Sequence, residues 1–502
     1  MRSSRFRLDV RSLAAFRIAA GLLLAADALL RCRDFGLMFT PSGMFPHQAL
    51  RAFHGSTACW SLAFLIDAAW WDAAVLALEG VSGLVLAAGF QTRLATLVAW
   101  VALVSVIRRT APATNAGDLW LACLLLWGTF LPLGARASLD ARRVPGRPSP
   151  SPTRIASLAF TLQVLVVYLA AGLAKCNEHW FTGTAVRDAL SVHDHGTALG
   201  AWVVGLPGVA TLAGVLVVAL ELAGPFLFLV APQPRIRAAV VFAFMAFHAS
   251  VAAFMTVGLF APIGLVAWLA LIPGSAWDRL RTVSPGPLPA ACDNDAVDAM
   301  PTNGSWVSLA AQGICGGLLM LGIIDATSQL LPHKPPLPTT LRTAMNLASL
   351  RQEWEMFGTV LHQEQWTYAR GVLVDGSEVD LLRGGQPLQR ERPAGGFNSL
   401  PHHRWHKLLW VLPKPSLRVF SPSIARALAE DWNARHGPQQ HLRKLEICFA
   451  RLTALTATDA EPGVLHELVV ATWPPRDSKG TGNLDRWLEE HDSPEPKSSG
   501  VR

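Results

Sequence analysis

The sequence predicts an all-α polytopic membrane bundle of about nine transmembrane helices, followed by a small C-terminal extramembrane α+β domain. Three observations carry this reading. Of 502 residues, 51% are apolar and only 16% charged, against roughly 25% charged in an ordinary soluble domain. Mean hydropathy is +0.32. Apolar runs near the ~17–25 residues that cross a bilayer core as helix recur at roughly 12–31, 73–90, 93–109, 118–134, 156–174, 208–231, 236–254, 256–273 and 306–324.

The first run is preceded by Arg2, Arg5, Arg7 and Arg11, as a signal peptide would be. It also carries Arg17 and Asp27 within it, and no clean small-residue cleavage site follows, so it reads as a retained helix. The arginines between the runs set an orientation. With the N-terminus cytoplasmic, fourteen arginines fall on cytoplasmic segments and six (Arg31, Arg33, Arg51, Arg108, Arg109 and Arg187) on the opposite side. This places the C-terminal region outside the cytoplasm. A net charge of +7 is thereby read as membrane orientation, and no nucleic-acid partner is expected. Trp60, Trp70, Trp71, Trp100, Trp180 and Trp277 stand near segment ends, where an interfacial aromatic belt sits. The seven cysteines contain no C-x-x-C pair, and no second His or Cys stands at ligand spacing near the buried polar residues, so no metal is expected.

Residues 135–155 and 278–305, rich in Pro with Arg and Ser or with Asp and Asn, read as linkers. Residues 1–330 then form the membrane domain, 331–475 an extracytoplasmic α+β domain and 476–502 a disordered tail. In the second unit, Thr367–Leu382 reads as two strands around the turn pair Asp375-Gly376. Ser421-Pro422-Ser423 opens a capped helix reaching Trp432. Leu445–Leu452 and His466–Trp473 read as two further strands.

Ionisable groups at bilayer depth are costly, by about 2.5–3.5 kcal/mol on insertion scales, and usually face a bundle interior or a cavity. Those present are Arg17, Asp27, Glu79, Asp118, Lys175, Glu221 and His248. The fifth run, from Gln163 through Tyr168 and Lys175 to Trp180, is the most informative. Tyr168 and Lys175 are seven residues apart, about two helical turns, so they share a face. A desolvated lysine can lose its charge and act as a base. The alternative is a lysine that snorkels to an interface marked by Trp180. Glu221 precedes Gly224-Pro225, and His248 closes Phe244–His248; each can equally be a hydrogen-bonded interior residue. Glu79 reads as paired, with Arg17 a candidate partner, and Asp118 after Asn115 reads as a helix cap.

Taken together, Gln163, Tyr168, Gly172, Lys175, Trp180 and Gly183 resemble the signature helix of the vitamin-K-dependent γ-glutamyl carboxylase superfamily, also called the HTTM domain. Phe16-Arg17-Ile18, Gly21, Asp27, Arg31, Asp34, Ser42-Gly43 and Pro46 are similar to its first helix and following loop. Glu221–Pro225, and Arg237, Phe247-His248, Gly258–Phe260 and Pro273, agree with later helices. The region after Trp354, Met356 and Phe357 is similar to the extramembrane domain that follows. The resemblance implies a quinone-dependent membrane enzyme, carboxylase-like, acting on an exported peptide or a lipid. Its cofactor would be a reduced quinone of the vitamin K hydroquinone type. It further implies Lys175 as the base, Tyr168 as its orienting neighbour and His248 in the catalytic group, with Gln163, Glu221, Arg17 and Asp118 in the substrate cavity. Just before the fourth run, where the carboxylases carry a histidine, this chain reads Thr114-Asn115-Ala116-Gly117-Asp118. A non-enzymatic maturation or export helper, binding a peptide through the outer domain, is the alternative. The richness in Arg, Ala and Trp fits a high-GC bacterium and its inner membrane.

Overall fold

The computed structural model describes residues 7–55, 59–143, 154–190, 195–283, 306–330, 337–351, 354, 358, 363–453 and 464–475. All nine apolar runs contain a helix: α1 (Val10–Cys32), α2 (Ala69–Ala88), α3 (Thr92–Arg109), α4 (Ala116–Gly128), α5 (Arg154–Ala174), α6 (Val209–Val230), α7 (Pro234–Phe254), α8 (Phe260–Leu269) and α9 (Trp306–Leu330). Among the described residues six of these, α1, α2, α5, α6, α7 and α9, are long and apolar enough to cross a membrane. Length and composition thus qualify six of the nine expected spans. The reason is local. Helix α3 carries Arg93, Arg108 and Arg109, whereas α4 and α8 have only 13 and 10 residues. At 1.5 Å per residue the last two reach ~15–20 Å, short of the ~30 Å core. Helix α4 is buried over most of its length and packs against α3, α5 and α8, so it has little need of a lipid-spanning length.

Capping chemistry sets several of these ends. The Asp9 side chain accepts from the Arg11 N–H and starts α1. Gly89, at φ +70°, closes α2 with a left-handed residue. Asn115 and Asp118 form a reciprocal capping box on α4. The helices pack as α1 on α2, α2 on α3, α5 on α6, α6 on α7 and α7 on α8, while α8 returns to α1 and α9 lies on α5. Their shared core holds Phe16, Trp120, Trp127, Phe160, Phe244 and Trp268, all close to fully buried.

The C-terminal region is a five-stranded antiparallel sheet with helices on it. Its strands β1 (Gln363–Leu373), β2 (Glu378–Asp380), β3 (Gln386–Pro387), β4 (Leu442–Thr453) and β5 (Val464–Trp473) lie in the order β3-β2-β1-β4-β5. The Asp375-Gly376 turn joins β1 to β2, with Gly376 at φ +86° and Val372 opposite Glu378. Helix α10 (His403–Val411) has no counterpart in the sequence reading, and α11 (Ser421–Arg435) packs on β4 and β5. Ser421 is the first residue of α11 rather than its cap, and no side chain caps that end.

Helix α10 and the segment after it share an apolar core with the loop following α1, through Met44, Phe45, Leu408 and Phe420. The linker segments 144–153 and 284–305, the tail 476–502, and Met356 and Phe357 lie outside the described residues.

Candidate functional site: a buried ion pair and an aromatic relay on one cavity

Helices α5 and α6 approach closely at Gly172. A Cβ there would stand 3.0 Å from the Glu221 Cβ and 3.2 Å from its backbone carbon, so a larger residue would push the helices apart. One turn on, Lys175 turns inward. Its Nζ lies 2.8 Å from Glu221 Oε2 and 3.1 Å from Oε1, and both side chains are nearly fully buried. The ammonium also stands 5.3 Å from the centre of the Trp180 ring, within cation–π range. The lysine therefore does not snorkel past Trp180. Pro225, four residues after Glu221, has no N–H to return to the Glu221 carbonyl, and so loosens α6 where it carries the carboxylate.

Two turns back along α5, Tyr168 Oη lies 2.6 Å from His248 Nε2 on α7 and accepts a 2.8 Å hydrogen bond from Trp268 Nε1 on α8. Phe244 stacks on Trp268 at 4.3 Å, with 9° between the planes, and also packs on Tyr168. Three helices thus hold one hydroxyl in place.

Tyr168, Lys175, Glu221 and His248 all line a single cavity of about 210 Å³. That is room for a small organic molecule rather than one water. Its other walls are apolar, with Val186, Val204, Val217, Val251, Phe254 and Phe260 among them. Trp354 also lines it and packs edge-on against Trp120, and the Asn177 side-chain amide donates to the Gly358 carbonyl at 2.8 Å. Trp354, which precedes the C-terminal sheet in the chain, therefore stands at the cavity wall.

Three residues expected around this cavity are not among its lining. Arg17, fully buried, donates to the carbonyls of Leu133, Arg136 and Ala137 at the other end of α1. Its expected pairing with Glu79 is not formed. Glu79 on α2 lies instead in a group with Asp27, Arg31 and Arg404. Asp118 caps α4 and also joins that group, accepting from Arg404 at 2.9 Å and lying 3.4 Å from Arg31. Gln163 accepts a long 3.4 Å hydrogen bond from Trp127.

Sequence reasoning missed Trp268, Trp354 and Arg404. Trp268 sits in a uniformly apolar helix and could have been flagged only as a tryptophan whose N–H needs a partner. Trp354 was marked only as the start of the extramembrane region, and Arg404 carries no local signal.

Neither curated proteins nor solved structures match this chain. A family model described as HTTM domain matches residues 6–277, which include α1 to α8 and every residue of the cavity wall except Trp354. That match spans more than half of the 502 residues, and the chain belongs to the HTTM domain family of membrane proteins.

Proposed function

We propose that this chain is a membrane enzyme whose cavity binds an apolar, oxygen-bearing molecule, a reduced quinone, and exchanges a proton with it. The observation that carries the reading is the Lys175–Glu221 pair, nearly fully buried and facing an otherwise apolar wall. A buried pair of this kind is poor at stabilising a fold, because desolvation offsets most of its Coulomb energy. Its position therefore fits a chemical role better than a structural one.

Two arrangements of one proton compete in that pair. In one, an ammonium faces a carboxylate; in the other, an amine faces a carboxylic acid and neither group is charged. The uncharged form suits an apolar cavity, since it needs no solvated ion. In it the Glu221 O–H donates to the Lys175 nitrogen; when that hydrogen turns away, the Nζ lone pair is free and the amine is the base. Tyr168, held by Trp268 and His248, orients the molecule beside it. A reduced quinone would bring an ionisable hydroxyl and, once deprotonated, reactivity toward oxygen. The residues present fit such a group through apolar walls and polar side chains at separate places. The acceptor of the chemistry would be an exported peptide or a lipid.

We further assign the N-terminus to the cytoplasm; an odd number of crossings, as in the nine-helix reading, then puts the C-terminal region outside the inner membrane. The arginine bias supports this more strongly than the bare count. Arg31, Arg108 and Arg109, three of the six on the poorer side, are buried in hydrogen bonds and ion pairs and contribute little free surface charge.

The test is Lys175→Ala beside Lys175→Arg, with membrane insertion checked for each. A guanidinium stays protonated, so both variants are expected to lose the cellular phenotype completely. Survival of the phenotype in both variants, with loss only on deleting 337–475, would instead favour the helper reading.

A further inference from the structure

The polar atoms beside Tyr168 form a chain whose direction can be worked out atom by atom. An indole N–H only donates. Trp268 Nε1 therefore gives its hydrogen to Tyr168 Oη across 2.8 Å, and the tyrosine oxygen is an acceptor there. Tyr168 has one hydrogen of its own, and His248 Nε2 stands 2.6 Å away. If His248 carried its proton on Nε2, two hydrogens would aim at the tyrosine oxygen while the buried hydroxyl hydrogen had no acceptor. The satisfied arrangement has Tyr168 donating to Nε2, which leaves a neutral imidazole with its proton on Nδ1.

His248 Nδ1 is buried and, among the described residues, has no hydrogen-bond partner. The ring sits over Gly264 on α8, where any Cβ would lie 2.1–2.4 Å from three ring atoms. It is held there by aromatic neighbours, with Trp120, Phe247 and Phe260 within about 6.2 Å of its centre. His248 belongs to the cavity lining, and a buried donor there with no acceptor among the described residues is a group left for a ligand.

We infer that the Nδ1–H of His248 is the donor that receives an uncharged oxygen acceptor of the molecule in the cavity, a carbonyl, which a quinone carries in its oxidised form. Trp268 is the positioning residue that fixes this polarity through Tyr168. The inference rests on the reading of the cavity as a ligand site. It goes beyond that reading by giving His248 the role of donor rather than base. It also makes the specificity of this wall one for carbonyl-bearing apolar molecules over hydrocarbons of the same shape.

The experiment uses the full-length protein in lipid nanodiscs and two probes, a short-chain prenyl naphthoquinone and the matching prenyl naphthalene without oxygens. Affinities are measured by titration calorimetry, and the carbonyl stretch of a carbon-13-labelled quinone by infrared difference spectroscopy. The wild type is expected to favour the quinone by about fivefold to tenfold, the worth of one hydrogen bond, with one carbonyl band moved to lower wavenumber. His248→Phe should bring the ratio to about one and return the band to its position in lipid.

Trp268→Phe leaves every cavity-lining side chain in place but frees the tyrosine oxygen to accept from either direction. Both imidazole tautomers then become accessible, and the shifted band should split in two, which a purely structural effect would not produce. Should His248→Phe fail to fold, the wild-type band and the Trp268→Phe spectrum carry the same test. Equal wild-type affinity for the two probes, or an unshifted band, would overturn the inference while leaving the cavity a ligand site. Failure of the wild type to bind either probe would overturn both.

Discussion

At the level of single residues, the Lys175–Glu221 pair is the part of the cavity on which the proposed chemistry rests. Removing one member of a buried pair strands the other, at about 3–5 kcal/mol, whereas replacing both by apolar groups is often neutral or stabilising. Lys175→Met is therefore expected to lower stability by about that amount, and Lys175→Met with Glu221→Leu to recover most of it. Thermal unfolding of the purified protein in detergent checks this. Activity should be absent from both variants, which separates the role of the pair in chemistry from its role in folding. The positions of Lys175, Tyr168, Glu221 and His248 were legible in the sequence because polar residues in apolar runs stand out. Their meeting on one wall was not, since Lys175 and Glu221 are 46 residues apart and Tyr168 and His248 are 80. Periodicity fixes which residues share a face of one helix. It does not say which face of which other helix they meet. Arg17 illustrates the converse: the same signal of a charge in an apolar run marks a residue held by backbone carbonyls at the other end of α1.

Helices act here through how closely they can approach. Gly172 sets the contact between α5 and α6 and lies within one turn of Lys175. Gly172→Val should overpack that crossing, costing about 1–3 kcal/mol, and should reduce activity although no titratable group is altered. Unfolding and activity measured on the same preparation would test this. Loss of activity with unchanged stability would place the effect elsewhere. The nine helical runs and four of the strands were legible because their apolar periods are long or their turn residues specific. Helix α10 was not, since its segment Arg404-Trp405-His406-Lys407 mixes charge and aromatic residues without a clear period. Its fully buried residues are explained only by what they meet.

Across the whole molecule, the C-terminal region is joined to the bundle by buried charge. Arg404 of α10 donates to Asp27 at 2.6 Å and to Asp118 at 2.9 Å, residues 377 and 286 positions earlier in the chain. Beside it, Asp34 pairs with His402 and accepts from Trp405 Nε1 at 3.1 Å. Arg404→Met should leave Asp27 and Asp118 with Arg31 as the cation they still share. It is expected to loosen the 337–475 region, read as faster cleavage within it by limited proteolysis of the folded protein.

The same junction is sensitive to acid. Burial holds His195 and His403 down at about 4 and lowers His406 as well, with the His195 and His406 rings 4.5 Å apart. A histidine freed by unfolding takes up a proton near pH 6.5, so between about 6.5 and 4 the open state binds more protons than the docked one. The stability of docking is then full above pH 6.5 and declines as the pH falls through that window. Hydrogen exchange across α10 should accelerate on acidification, and His403→Gln should flatten the change. An unchanged profile in wild type would refute the account.

Composition and period alone determined that this chain is a membrane bundle with a small mixed region after it, and they marked the polar residues that lipid would not tolerate. Those conclusions follow from the solvent: water and hydrocarbon sort residues by polarity wherever they stand in the chain. Tertiary structure decided which helices are long enough to span, that Glu221 rather than water or lipid headgroups receives Lys175, and that Arg404 reaches back to Asp27 and Asp118. Such pairings depend on packing distances of a few ångströms between segments remote in sequence, and no local pattern encodes them.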